Sequence, residues 1–487
     1  MNCRKLLVIL AVKFLLLTAV QAQETNTVRI VSGIVTDYLG DPLPGTSIVV
    51  KGTNTRTTSN TDGKYSLNVP ENAILQFSLI GFGSKEIAVE NRQVINVVFE
   101  EPEYTWIRPA IPISLTEKQS QKAKTDNSFA FKIFREVPRH NAFLSPFSLN
   151  MVLGMLYNGA SGDNRSEMVE ALGMEDFTEA EINEYYQKIV QTLLEMDPIT
   201  NMIIANSIWC NSEFSIKNTF IEIGKQFFDA DVLSHDFNNP SIANIIDNWC
   251  VEKTRGRITN IGISPKPNDM MYLINALYFK SEWQEGNKFD KTQTKQRNFR
   301  TINRRKRVNM MEQTSYLSYY ADQHLQSVEL PYGNGAFSMV VLLPQKNVKI
   351  DQLIEHLNDD KWQNIVNNMR RQNVRLRLPR FQIENEFFLK EPITNLGMKQ
   401  IFIGGFENIT DFPMWVDDIK QKTFVEVDEE GTEAAAVTAV VVTGYGGRAR
   451  RVKPVRFFAD RPFMFLIREK STGAILFMGQ VDEPLSD

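Results

Sequence analysis

In the first hundred residues after an apolar leader, hydrophobic side chains return at every second position. Ile48 to Lys51, Tyr65-Leu67-Val69, Leu75-Phe77-Leu79 and Ile95-Val97-Phe99 each set their apolar groups on one face, the period of a half-buried strand. Gly40-Asp41-Pro42, Pro44-Gly45 and Asp62-Gly63 divide these runs, the last with the chemistry of a tight hairpin. Residues 28–101 therefore predict a small antiparallel β-sandwich. Pro102, Pro109 and Pro112 make 102–116 a semi-rigid extended linker. From 117 to 487 the period lengthens. Ala130, Ile133, Phe134 and Val137 share one helix face, as do Leu149, Val152, Leu153 and Leu156 behind a Ser148 cap, with Gly159 at the stop. Later, Phe337 to Leu343 is an apolar run suited to a buried strand, and Val374, Leu376 and Leu378 alternate with Arg375 and Arg377. Helices first and strands last give an α+β class with large mixed sheets.

The leader changes the picture of where the chain works. Arg4 and Lys5 precede an apolar stretch from Leu6 to Val20, which ends in Val20-Gln21-Ala22, the layout of a secretory signal peptide over residues 1–22. Lys13 interrupts a run already shorter than a membrane span needs, so the expectation is an exported chain without a transmembrane segment. Export leaves the final place open between periplasm, cell surface and medium. With 54 basic against 58 acidic residues, 43% hydrophobic and 23% charged, the bulk is an ordinary globular chain with no global drive toward nucleic acid. Cys210 and Cys250, each near a Trp in apolar surroundings, are expected as buried free thiols.

Constellations of catalytic residues are missing from the sequence. His140, His235, His324 and His356 have no ligand spacing, no His-Glu-x-x-His or Cys-x-x-Cys occurs, and Gly-x-Ser-x-Gly is absent, so no metal, cofactor or turnover chemistry is expected. Arg304-Arg305-Lys306-Arg307 reads first as a solvated face. The unusual segment lies near the C-terminus. Acidic residues from Glu426 to Glu433 give way to Ala434-Ala435-Ala436-Val437-Thr438-Ala439-Val440-Val441-Val442-Thr443, then abruptly to Gly444-Tyr445-Gly446-Gly447-Arg448-Ala449-Arg450-Arg451. A β-prone uncharged stretch is normally interior, yet this one runs into a tract that makes sense only in water. An exposed, strand-ready segment is a hazard proteins usually avoid, and it is tolerated where becoming a strand is the function.

Two resemblances sharpen these readings. Val31-Ser32-Gly33-Ile34-Val35, Pro42-Leu43-Pro44-Gly45-Thr46-Ser47-Ile48, Lys51-Gly52-Thr53 and Thr61-Asp62-Gly63-Lys64-Tyr65 resemble the carboxypeptidase-regulatory-like sandwich domains, which are appendages of secreted and surface proteins. Residues 117–487 resemble the serpins. The similarity rests on Asn141-Ala142-Phe143-Leu144-Ser145-Pro146-Phe147-Ser148-Leu149 and Asn275-Ala276-Leu277-Tyr278-Phe279-Lys280-Ser281-Glu282-Trp283. Phe424 to Ala436, Asp460-Arg461-Pro462-Phe463 and Phe477-Met478-Gly479 complete it, five motifs in family order. The family implies three β-sheets, eight or nine helices, and an exposed reactive loop that baits a protease and traps it. On that resemblance Glu429, Glu430, Gly431, Thr432, Glu433, Ala434, Ala435, Ala436, Val437 and Thr438 form the hinge, and Ser145, Ser148, Asn275, Trp283 and Gln421 the region where the central sheet opens.

The hinge can also be read physically. Insertion as a strand buries alternate residues, and Thr432, Ala434, Ala436, Thr438, Val440 and Val442 are all small or apolar; a one-residue slip would bury Glu433. The fourteen residues from Gly431 to Tyr445 span roughly 46 Å when extended. Family spacing puts the scissile bond at Tyr445–Gly446, which suits chymotrypsin-like or elastase-like proteases, with Arg448 as the alternative for trypsin-like ones. Gln421 stands where the family usually has a buried His, and it does not titrate. The reading is a monomeric, secreted suicide inhibitor whose partner is a target protease. Its alternative is a non-inhibitory binding or carrier protein with a surface-docking sandwich.

Overall fold

The computed structural model describes residues 28–99, 109–432 and 453–484, apart from 38–39, 54, 71, 80–82, 255 and 257. These fall into two compact units, divided between residues 103 and 104.

The first unit is a sandwich of seven short strands: β1 (Val28–Thr36), β2 (Ser47–Val50), β3 (Arg56–Thr58), β4 (Lys64–Pro70), β5 (Ile74–Leu79), β6 (Gly83–Ala88) and β7 (Val97–Val98). One sheet runs β4-β1-β7 and the other β3-β2-β5-β6. The period-two positions fill the space between, with Val35, Ile48, Val69, Leu75, Phe77 and Phe99 all buried. The pairing is antiparallel except at β7, which lies parallel to β1 with Val35 opposite Val97. The chain leaves β6 in one sheet and joins the other beside β1, so the two strands end up running the same way. Gly33 permits that approach, because a Cβ there would stand 2.0 Å from the Ile95 carbonyl oxygen.

The second unit holds nine α-helices among the described residues, from α1 (Glu117–Glu136) and α2 (Pro146–Gly159) to α9 (Lys390–Asn395). Its chain is already packed before α1 begins: Ile113 is buried, its amide donates to Ser471 Oγ, and Thr116 caps α1. The six-stranded central sheet takes β9 (Asn201–Asn211), β10 (Asp231–His235), β11 (Met271–Glu282), β17 (Phe381–Phe388), β18 (Asp418–Val427) and β19 (Gly431–Thr432) in the order β10-β9-β11-β19-β18-β17. A further, nine-stranded sheet is built around the 17-residue strand β13 (Arg305–Ala321). On one side β13 lies with β12 (Lys295–Arg300), β16 (Arg370–Pro379) and β20 (Val455–Phe458). On the other it continues through β14 (Leu325–Pro331), β15 (Phe337–Pro344), β21 (Phe463–Glu469), β22 (Ile475–Val481) and β8 (Phe143–Leu144). Strand β15 is buried along its whole length, as its apolar run requires.

Every residue of α2 is buried, and the helix packs on β11, β9 and β22. Its start differs from the sequence expectation. Pro146 occupies the first turn, where no N–H is needed, and Ser145 is the cap, its Oγ accepting from the Ser148 amide at 3.3 Å. Ser148 is thereby freed to point at the central sheet.

Candidate functional site

The central sheet is closed at one end and parted at the other. Strands β11 and β18 pair directly and in parallel from Tyr272–Asp418 to Leu277–Thr423. Past that point they separate, and among the described residues the only strand between them is β19. Thr432 pairs with Ser281 and Val427, and Gly431 with Glu282, antiparallel to both neighbours. Gly431 has to be glycine, since a Cβ would sit 2.1 Å from the Ser281 carbonyl oxygen. A two-residue strand thus occupies the mouth of a slot that runs down to Leu277.

At the floor of the slot lies a buried polar cluster. Gln421 accepts from the Ser145 amide at 2.8 Å and donates to the Ser145 carbonyl at 3.0 Å and to Asn275 Oδ1 at 2.8 Å. The Asn275 amide in turn donates to Ser148 Oγ and to Asn206 Oδ1. Ser145, Ser148, Asn206, Asn275 and Gln421 are all buried, and both ends of the Gln421 amide are satisfied. Beyond the backbone ladder, the network ties β18 to β11 and to the cap of α2, so separating the strands means breaking it.

At the mouth, Trp283 is buried and stacks on Tyr332 at 4.6 Å between ring centroids. Its indole N–H donates to the Asp428 carbonyl at 3.0 Å. Thr432 is fully buried, and its hydroxyl bonds the Tyr332 hydroxyl at 2.5 Å. Asp428 Oδ1 accepts from the amides of Glu430 and Gly431, shaping the turn into β19. Burial pushes the Asp428 carboxyl above the usual carboxylate range, outweighing those two bonds. Glu429, only 1% exposed, receives a forked pair of bonds from Arg380 at 2.9–3.0 Å and one from Thr294 Oγ1. Glu430 pairs with Lys291 at 3.2 Å and lies 3.8 Å from Lys288. Glu429 and Glu430 therefore form a clasp, each held by a basic partner.

The structure brings Ser145, Ser148, Asn275 and Gln421 into one cluster, and Trp283, Glu429, Glu430, Gly431 and Thr432 into another. Gln421 bonds Ser145 and Asn275 directly and reaches Ser148 only through them. Glu433, Ala434, Ala435, Ala436, Val437, Thr438, Tyr445, Gly446 and Arg448 lie outside the described residues. Sequence reasoning missed Asn206, Tyr332, Thr294, Arg380, Lys288 and Lys291. Only the acidic run itself hinted that basic partners were needed; nothing local marks Tyr332, which comes from a turn 100 residues away in sequence.

The two clusters frame the gap between β11 and β18. It is a slot with a strand begun in it, which is what a reactive loop inserting into its own sheet requires. Residues 124–484 match the family model of the serpins, described as serine protease inhibitors, and residues 31–106 match that of the carboxypeptidase-D-regulatory-like domain. The chain belongs to the serpin family. It is 32% identical over 364 residues to an uncharacterised serpin-like protein of Thermococcus kodakarensis, covering 74% of this chain and 84% of that one. Iripin-2 of Ixodes ricinus is 31% identical over 75% of this chain and 94% of its own. Among solved structures, the thermophilic serpin tengpin in its native state superposes with a TM-score of 0.70 at 28% identity, covering 77% of this chain and 97% of tengpin. Human thyroxine-binding globulin complexed with its hormone gives 0.69 at 25%, covering 76% of this chain and all of the globulin. Among the described residues no helix is long and apolar enough to cross a membrane.

Proposed function

We propose that this chain is an exported, monomeric suicide inhibitor of proteases. The observation that carries the reading is β19, a strand already begun at the mouth of the parted sheet, with Thr432 buried where the alternating small residues of the sequence would continue it. The leader supports export; the uncharged stretch from Ala434 to Thr443 supports insertion.

In this mechanism a protease hydroxyl attacks the Tyr445 carbonyl, the bond to Gly446 breaks, and Gly446 leaves as a new amino terminus carrying the proton. The acyl ester remains. The freed loop then extends β19 from Thr432 toward Leu277, parting β11 from β18 and exchanging the Gln421 network for new ladder bonds. The attached protease is carried along and distorted before water reaches the ester. Tyr445 suits chymotrypsin-like or elastase-like enzymes, with Arg448 as the alternative for trypsin-like ones.

Thr432→Arg tests the reading. Thr432 is fully buried against Tyr332, so a guanidinium there is too large for the site and costly to desolvate, and insertion stalls. The variant is expected to be cleaved at the same bond and to lose covalent trapping; trapping retained at the wild-type stoichiometry would refute the hinge assignment. A second reading, a non-inhibitory carrier, has the likeness to thyroxine-binding globulin in its favour, and cleavage of the unmodified chain without trapping by any protease would select it.

A further inference from the structure

The basic run at 304–307 is part of something larger than a solvated hairpin. Strands β12, β13, β16 and β20 pair so that Arg300 lies opposite Arg305, Arg375 beside Arg456, and Arg377 beside Phe458. A shallow cleft of about 330 Å³ opens among these strands, lined by Asn298, Arg307, Arg377, Phe458 and Asp460 among others. Arg377 stacks over Phe458 at 4.1 Å. Acid is scarce here. Glu312 is shared by Arg297, Arg375 and Arg377, at 2.5–2.8 Å, and Glu483 by Arg304 and Lys306, at 2.8 and 3.3 Å, so both are already engaged. Arg300, Arg305, Arg307 and Arg456 are exposed and have no ion pair among the described residues. This is a concentrated positive face on a chain whose net charge is −4.

Its position decides the kind of partner. Strand β20, which carries Arg456, starts ten residues after Tyr445, so a protease engaged at Tyr445–Gly446 is tethered within roughly 33 Å of this face. A protease of about 230 residues has a radius of gyration near 17 Å, large enough to reach it. The charges are spread over four strands, interrupted by Glu312 and Asp460 and floored by Phe458. That mixture suits a folded protein surface with acidic and apolar groups better than a uniform polyanion.

We infer that the outer face of β12-β13-β16-β20 is a secondary docking surface that selects target proteases carrying an acidic surface beside their active site. The inference rests on the inhibitory reading and adds to it a basis for choosing among proteases that would all accept Tyr445.

Two probes differing in surface charge alone provide the test: chymotrypsin, and chymotrypsin whose lysines have been succinylated. The full mature chain is expected to associate with the succinylated enzyme about tenfold faster at low ionic strength, an advantage that disappears with added salt. Arg305→Glu with Arg307→Glu, both exposed, is expected to reverse the preference. Binding of the active-site-blocked enzymes, measured in parallel, separates the two claims. If the blocked succinylated enzyme binds the wild type and the double variant equally, the docking surface is refuted whatever happens to trapping. If binding depends on the arginines while neither active enzyme is trapped, the docking surface stands and the inhibitory reading falls. Tight binding of heparin with no difference between the two chymotrypsins would assign the face to a polymer and overturn the inference.

Discussion

Arg380 and Glu429 show how much of the hinge is electrostatic. The carboxylate is 1% exposed in its side chain, while the guanidinium is 42% exposed. Removing the arginine strands a buried charge with only Thr294 to bond it, a loss that reaches several kcal/mol for a fully buried pair and less when one partner is half in water. Arg380→Ala is expected to lower the stability of the uncleaved chain by about 2 kcal/mol, read as a lower urea midpoint. An unchanged midpoint would mean the clasp contributes nothing. Gln421 supports a second prediction. Replacing it by His puts a titratable ring among Ser145, Asn275 and α2, where burial depresses its folded-state pKa below the unfolded value near 6.5. Stability of Gln421→His is then full above that value and is lost as pH falls through it, whereas the natural chain has no such dependence at this position. A flat melting temperature for the variant between about pH 7.5 and 5.5 would contradict the placement. At this scale the sequence named Gln421, Asn275 and Ser145 through the resemblance, and missed Tyr332 and Arg380. Their partners are fixed by the meeting of segments far apart in the chain, and no local spacing encodes that.

At the scale of elements, β19 is the informative one. The alternation of small residues from Thr432 onward was legible because strand burial has period two; that the strand has already begun in the uncleaved chain was not. It depends on β11 and β18 parting beyond Leu277 and on Gly431 fitting against Ser281. The other strands divide the same way. The all-apolar β15 and the alternating β16 follow from their own patterns. The parallel pairing of β7 and the cap of α2 at Ser145 depend on crossover and on a proline whose weight the Ser148 reading underestimated. Completing β19 would bury Ala434, Ala436, Thr438, Val440 and Val442 and add ladder bonds on both sides. Several apolar groups at about 0.8 kcal/mol per CH₂ imply a rise in melting temperature on the order of 10 °C or more after loop cleavage. Calorimetry of the chain before and after nicking within 433–452 checks this. A nicked chain that melts at the same temperature, or lower, would mean the loop stays outside the sheet.

For the whole molecule, the central sheet is a fold caught short of its most complete strand pairing. The direct ladder between β11 and β18, the Gln421 network and the clasp around Glu429 hold it in that form, and on the proposed mechanism cleavage within 433–452 would let a further strand enter. The sandwich of residues 28–99 has its own core and carries none of the residues of the slot or the clasp. The most direct measurement is to incubate the mature chain with chymotrypsin and separate the products on a denaturing gel, with mass spectrometry of the released C-terminal peptide. A band at the summed mass of inhibitor and protease is expected, with a peptide beginning at Gly446. Complete cleavage with free, fully active chymotrypsin and no such band would contradict the inhibitory reading.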